Sequence, residues 1–223
     1  MKPGSGRALR VLHLELEACR ICPKMIGPVV HGAPVVSRVM LVGQAPGPRE
    51  ASFGRPFAWT AGRTMFAWFE EALGVDEDMF RSRVYMAAVA RCFPGKASGG
   101  GDRKPDTEEV ERCRRWLAGE VAILRPELVI AVGALAIEQV LGARAPLSAV
   151  VGTKAHTDWH GCAVDVVALP HPSGASPWHK TEPGKTLLRK ALRALAKHPA
   201  MKRALRRRKA GDPSLPSLRF VRF

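Results

Sequence analysis

Four short apolar runs set the tightest limit on how this chain can fold: residues 37–43 (SRVMLVG), 84–90 (VYMAAVA), 127–133 (ELVIAVG) and 163–169 (AVDVVAL). They are close to continuous rather than alternating. An alternating run has one wet face, whereas a continuous run is covered on both faces, as the strands of a parallel sheet are. Helical patterns lie between them. Residues 62–73 put Met65, Phe66, Phe69 and Leu73 on one face. Residues 107–124 open behind Asp106 with Glu108 and Glu109, a helix start with acids in the first turn. Residues 134–141 follow the third run directly, and 185–195 close the pattern. Strands alternating with helices predict an α/β fold, a three-layer α/β/α sandwich around a short, mainly parallel central sheet. The expected organisation is a domain over 1–198 and a basic tail over 199–223. Ligands of such sheets gather outside the carboxyl ends of the strands. The informative loops should therefore follow Gly43, Ala90, Gly133 and Leu169.

Charge narrows the partner. Lys and Arg number 35 against 20 acids, a formal charge of +15. That excess favours a polyanion, either nucleic acid or an anionic surface. The densest basic run is 202–209 (KRALRRRK), which reads either as phosphate contact or as a solvated appendage. No stretch approaches the roughly 20 apolar residues that cross a bilayer. Residues 1–10 lack a secretory pattern, so the expectation is a cytoplasmic monomer without a membrane.

The five cysteines are grouped. Cys19 and Cys22 form a C-x2-C pair, Cys92 and Cys113 follow far downstream, and Cys162 stands alone. In a cytoplasmic chain such grouping points to metal or cluster ligation rather than disulfides. Four thiolates suit zinc or an iron–sulfur cluster. A redox pair would follow a strand, whereas this pair precedes the first one. The plain alternative is that all five are small buried hydrophobes.

Two loops carry further chemistry. Residues 43–50 (GQAPGPRE) and then 54–57 (GRPF) follow the first run, and their Gly and Pro residues allow backbone N–H groups to face a ligand or water. After the last run, His171 sits between Pro170 and Pro172. A rigid imidazole there can donate to a developing anion, and Ser173 can contact phosphate.

Taken together, these pieces resemble the uracil-DNA glycosylase superfamily, and most of all its iron–sulfur branch, families four and five. That branch carries an early C-x2-C, a Gly-Glu-Ala-Pro-Gly motif, a Gly-Arg-Pro-Phe, a third and fourth Cys, and a closing His-Pro. The matching positions are Cys19, Cys22, 43–47, 54–57, Cys92, Cys113 and 171–173, in order, within residues 14–196. The resemblance implies a structural 4Fe–4S cluster on Cys19, Cys22, Cys92 and Cys113. It implies hydrolysis of the N-glycosidic bond of uracil in single- or double-stranded DNA, leaving an abasic site. Phe57 would stack on the flipped base, His171 would stabilise the departing uracil anion, and Gly43, Ala45, Ala88 and Ser173 would line the substrate site.

The departures are informative. Gln44 stands where family four has Glu, and an amide cannot act as a base, though its carbonyl can orient water. Ala45 stands where the family-one motif has Asp. Glu50 is the nearest spare carboxylate and the candidate base. Ala88 replaces the family-four Asn that reads the uracil edge, which predicts relaxed selection. Two alternatives follow: a catalytically weak protein that binds uracil or abasic DNA, and a glycosylase that accepts deaminated purines. The Gly-rich stretch 98–102 lengthens the Cys92–Cys113 interval.

Overall fold

The computed structural model describes residues 4–174 and 176–206. In chain order the elements are α1 (Ser5–Glu17), β1 (Val39–Gly43), α2 (Glu50–Phe53), α3 (Thr60–Leu73), α4 (Glu77–Arg83), β2 (Tyr85–Ala88), α5 (Thr107–Leu124), β3 (Leu128–Val132), α6 (Ala134–Leu141), α7 (Leu147–Val150), β4 (Ala155–Trp159), β5 (Cys162–Leu169), α8 (Gly184–Lys197) and α9 (Pro199–Leu205). The strands form one sheet in the order β2-β1-β3-β5-β4. All neighbours pair in parallel except β4, which runs antiparallel on the edge.

Each apolar run is a strand, and every residue of β1, β2 and β3 is buried. Helices cover both faces. α3, α4, α8 and α9 pack with one another on one side, and α1, α5 and α6 lie on the other. The start of α5 explains its sharp boundary. The Asp106 carboxylate accepts from the Glu109 amide, and the Glu109 carboxylate accepts from the Asp106 amide. This reciprocal cap satisfies two otherwise orphaned donors and contributes about 1 kcal/mol.

Three features depart from the expected layout. The edge strand β4 was not foreseen, although its residues alternate in exposure and lead into the tight His160-Gly161 turn. Both turn residues have left-handed backbones, φ 52° and 71°, the geometry that matches strand twist in a two-residue hairpin. The helix α1 buries Leu9, His13 and Leu16 along one stripe and packs on α5. Finally, the domain does not stop at 198. Pro199 starts α9, which buries Ala200 and Met201 against the domain, because two apolar residues one turn into the supposed tail have a core to enter. The remainder of the basic run, 207–209, and residues 218–223 lie outside the described residues.

The topology locates the site. β1 leads outward to β2 on one side, and the chain then returns through α5 to β3 on the other side of β1. The β1/β3 boundary is therefore a topological switch point, where the connecting loops diverge and leave a crevice at the carboxyl ends.

Candidate active site at the sheet switch point

Gly43 ends β1, and Gly133 directly follows β3. With Val42 opposite Ala131, these two glycines are neighbours on adjacent strands, about 4.8 Å apart in the pairing direction. Each seats a predicted site residue. A Cβ on Gly43 would lie 2.7 Å from Cε2 and Cζ of Phe57, so the ring rests on bare backbone. A Cβ on Gly133 would lie 3.2 Å from Cδ2 of His171. The aromatic ring and the imidazole, 114 positions apart by their numbers, thus meet at one rim of the sheet.

Phe57 is held in a costly conformation. Its φ is 55°, a left-handed backbone that costs a non-glycine residue about 1–2 kcal/mol. Arg81 Nη2 donates to the Phe57 carbonyl at 3.0 Å, and Arg81 is itself paired with Glu77 at 2.7 Å. Gly62 allows the close approach, since a Cβ there would stand 1.7 Å from the same carbonyl oxygen. Glu50 ties the two halves of the loop together. Its Oε2 accepts from the Gly47 amide at 3.0 Å and its Oε1 from the Ala58 amide at 3.1 Å. Burial pushes the Glu50 carboxyl up, while the amides of Gly47, Ala58 and Phe57 and the charge of Arg81 pull it back.

The rest of the rim is ordered by backbone pairing. The carbonyls of Gly43 and Gln44 accept from the amides of Val89 and Ala90, prolonging the β1–β2 ladder. Ala88 is opposite Gly43 and buried, and it offers only a methyl group there. On the other side, burial holds the His171 imidazole below its ordinary range, opposed by the charge of Asp102. The Ser173 amide donates to His171 Nδ1 at 3.3 Å. A neutral ring whose Nδ1 accepts must carry its proton on Nε2, which becomes a donor.

Two groups at this rim were not singled out beforehand. Asp102 approaches Gly47; its only signal was an acid ending a Gly-rich stretch. Phe53 and Trp59 are exposed and stacked, centroids 5.8 Å apart, with Arg49 and Arg63 over the Trp59 ring at 4.7 and 5.7 Å. A cleft of about 450 Å3 bordered by Glu111, Arg114, Glu138 and His160 contains none of Glu50, Phe57, Asp102 and His171.

The cysteines gather elsewhere. Cys19 and Cys22 follow α1, Cys92 follows β2, and Cys113 lies on α5. All four line one cavity of about 430 Å3 together with Arg91 and Trp116. Backbone bonds from Ile26 to Phe93 and from Val30 to Arg91 pin the amino-terminal segment over it. Burial pushes the Cys92 thiol up to about 11 and those of Cys22 and Cys113 in the same direction. A bound cation would therefore displace thiol protons. Among the described residues, no three His, Cys, Asp or Glu side chains converge as a group able to hold a metal ion. Cys162 lies apart, its Sγ directed to the Pro126 carbonyl at 3.7 Å.

A buried polar chain backs the cavity. His13 Nε2 donates to the Tyr85 hydroxyl at 2.8 Å, Tyr85 donates to Glu120 at 2.6 Å, and Arg91 pairs with the other Glu120 oxygen at 2.6 Å. Arg91 Nε and Nη1 and Trp116 Nε1 are buried without a hydrogen-bond partner among the described residues.

Comparison with known proteins points to one family. The model of the Uracil DNA glycosylase superfamily matches residues 29–196. A type-4 uracil-DNA glycosylase of Pyrobaculum aerophilum is 35% identical over 143 residues, covering 61% of this chain and 68% of that protein. One of the same type from Thermotoga maritima is 27% identical over 169 residues, covering 74% and 81%. A type-5 uracil-DNA glycosylase of Thermus thermophilus is 30% identical over 158 residues, covering 56% and 68%.

Proposed function

The chain belongs to the uracil-DNA glycosylase superfamily, and from that premise we propose that it hydrolyses the N-glycosidic bond of uracil in DNA and leaves an abasic site. The observation that carries this reading is the seating of Phe57 and His171 on neighbouring strand ends. A base rotated out of the helix would stack on Phe57. The Nε2–H of neutral His171 would donate to the uracil O2 as negative charge collects there, a stabilisation of the kind that typically contributes about 10²–10³-fold in rate. Glu50 accepts from two backbone amides, which favours holding the loop over activating water as its role. Gln44 would orient water through its carbonyl. Ser173 and the Arg49–Trp59–Arg63 patch would bind the strand, since exposed aromatic and basic groups together suit single-stranded nucleic acid.

The cysteine cavity supports an iron–sulfur cluster held by Cys19, Cys22, Cys92 and Cys113. The fit rests on the donor set: four cysteines line one cavity, and so do Arg91 and Trp116, which keep three buried N–H groups without an acceptor. When bound, the cluster supplies a cross-link between three chain segments, with no part in the hydrolysis. Ala45 packs on the apolar group around Cys113 and Trp116, so this cross-link would steady the first motif loop.

The test is release of uracil from single- and double-stranded oligonucleotides, read as strand scission after alkali. Wild type should cleave, and His171→Ala should fold normally with a sharply lower rate. An inert wild type would sink the proposal. The methyl of Ala88 favours a broader substrate range as a second reading. Parallel assays on uracil and deaminated purines separate the two.

A further inference from the structure

The first motif loop supplies an amide at Gln44 and a methyl at Ala45, and the carboxylate of Glu50 is occupied by backbone. Hydrolysis still calls for negative charge near the sugar and an acceptor for the water proton. The Gly-rich stretch supplies both. Residues 95–103 fold back on themselves. Lys96 and Asp102 form an antiparallel bridge, Arg103 N donates to the Gly95 carbonyl at 3.0 Å, and Ala97 N donates to the Gly101 carbonyl at 3.1 Å. Gly95, Gly100 and Gly101 have φ values of 94°, 84° and 74°, which only glycine adopts freely.

This hairpin delivers Asp102 to the rim. Its Oδ2 lies 3.7 Å from where a Cβ on Gly47 would stand. Its Oδ1 is anchored by Lys96 Nζ at 2.6 Å, which leaves Oδ2 turned to the loop. Asp102 is also the charge that acts on His171. One carboxylate thus lies beside the motif loop and within electrostatic reach of the imidazole.

We propose that Asp102 is the catalytic carboxylate of this enzyme, replacing the acid missing from the first motif. This rests on the glycosylase reading above. As the C1′–N1 bond breaks, its electron pair leaves with uracil, whose anion His171 stabilises. The Asp102 charge stabilises the cationic sugar. The water oxygen bonds to C1′, its proton passes to Asp102, and from there it goes to solvent.

The experiment compares single-turnover uracil release and abasic-DNA affinity for wild type, Asp102→Asn, Asp102→Glu and Lys96→Met. Asp102→Asn should lose about 10²–10⁴-fold in rate, with affinity and melting temperature little changed. Asp102→Glu should recover part of the rate. Lys96→Met keeps the carboxylate but frees its anchored oxygen, and should lose less rate than Asp102→Asn. An Asp102→Asn rate within threefold of wild type overturns the proposal. So does an Asp102→Glu rate no higher than that of Asp102→Asn when both variants melt like wild type. An inert wild type overturns the glycosylase reading instead.

Discussion

The catalytic rim and the cysteine cavity are built on opposite principles. The rim is made of backbone. Glycines at 43, 62 and 133 let side chains and carbonyls lie where a Cβ would collide, and Glu50 and Arg81 close the remaining polar gaps. The carboxylate of Glu50 and the carbonyl of Phe57 both find their partners within it. The cavity is made of side chains, and it leaves three buried N–H groups without acceptors. An unmet buried donor costs about 1–3 kcal/mol. Arg91 and Trp116 keep three of them beside four cysteines. On the proposed reading, one region is pre-organised for a passing base and the other would be completed by the cluster it holds.

That contrast can be broken most forcefully at His171. His171→Ala should slow uracil release by about 10²–10³-fold while the iron content and melting temperature stay near wild type. A comparable loss of iron would show that the two regions are one. Conversely, Cys113→Ser should remove iron and visible absorption and lower the melting temperature by roughly 2–4 °C for each kcal/mol lost. Metal analysis and a thermal scan check this, and retention of both would deny the cavity its proposed guest.

Gly43→Ala tests the backbone principle with a single methyl. The new Cβ would meet the Phe57 ring at 2.7 Å, so the ring must move, at a cost of about 1–3 kcal/mol. Base stacking should suffer, with uracil release falling about tenfold in single-turnover assays for each 1.4 kcal/mol lost in the transition state.

Acid should act on the cavity side. Burial, with His31 and Arg91 adding to it, lowers the His13 imidazole from 6.5 to about 4. Between those values the unfolded chain binds a proton that the folded chain refuses. Stability therefore falls as pH drops from about 6.5 toward 4. Denaturant melts across that window should show a shallower fall for His13→Gln. The smallest effect is expected from Trp116→Phe, which deletes one orphan donor. Iron should remain, with only a modest change in its visible spectrum.

Much of this was legible in order along the chain. Apolar continuity marked β1, β2, β3 and β5, and the Asp106–Glu109 box marked α5, because both signals arise from residues within a few positions of each other. The edge strand β4 also had a local signal, in its alternation and its His160-Gly161 turn, but it is not a continuous apolar run. Glu50 shows what composition alone leaves out. Composition shows a spare acid, and only the folded loop shows its two oxygens taken by Gly47 and Ala58.

What local patterning sets here is the kind of element and the rim on which the loops fall, since helix and strand periods are properties of neighbours in the chain. Which groups meet on that rim is another matter. Phe57 on Gly43, His171 on Gly133 and Asp102 beside Gly47 join segments many residues apart. Such contacts follow from strand order and the shape of the bare backbone, quantities that exist only after the sheet has closed.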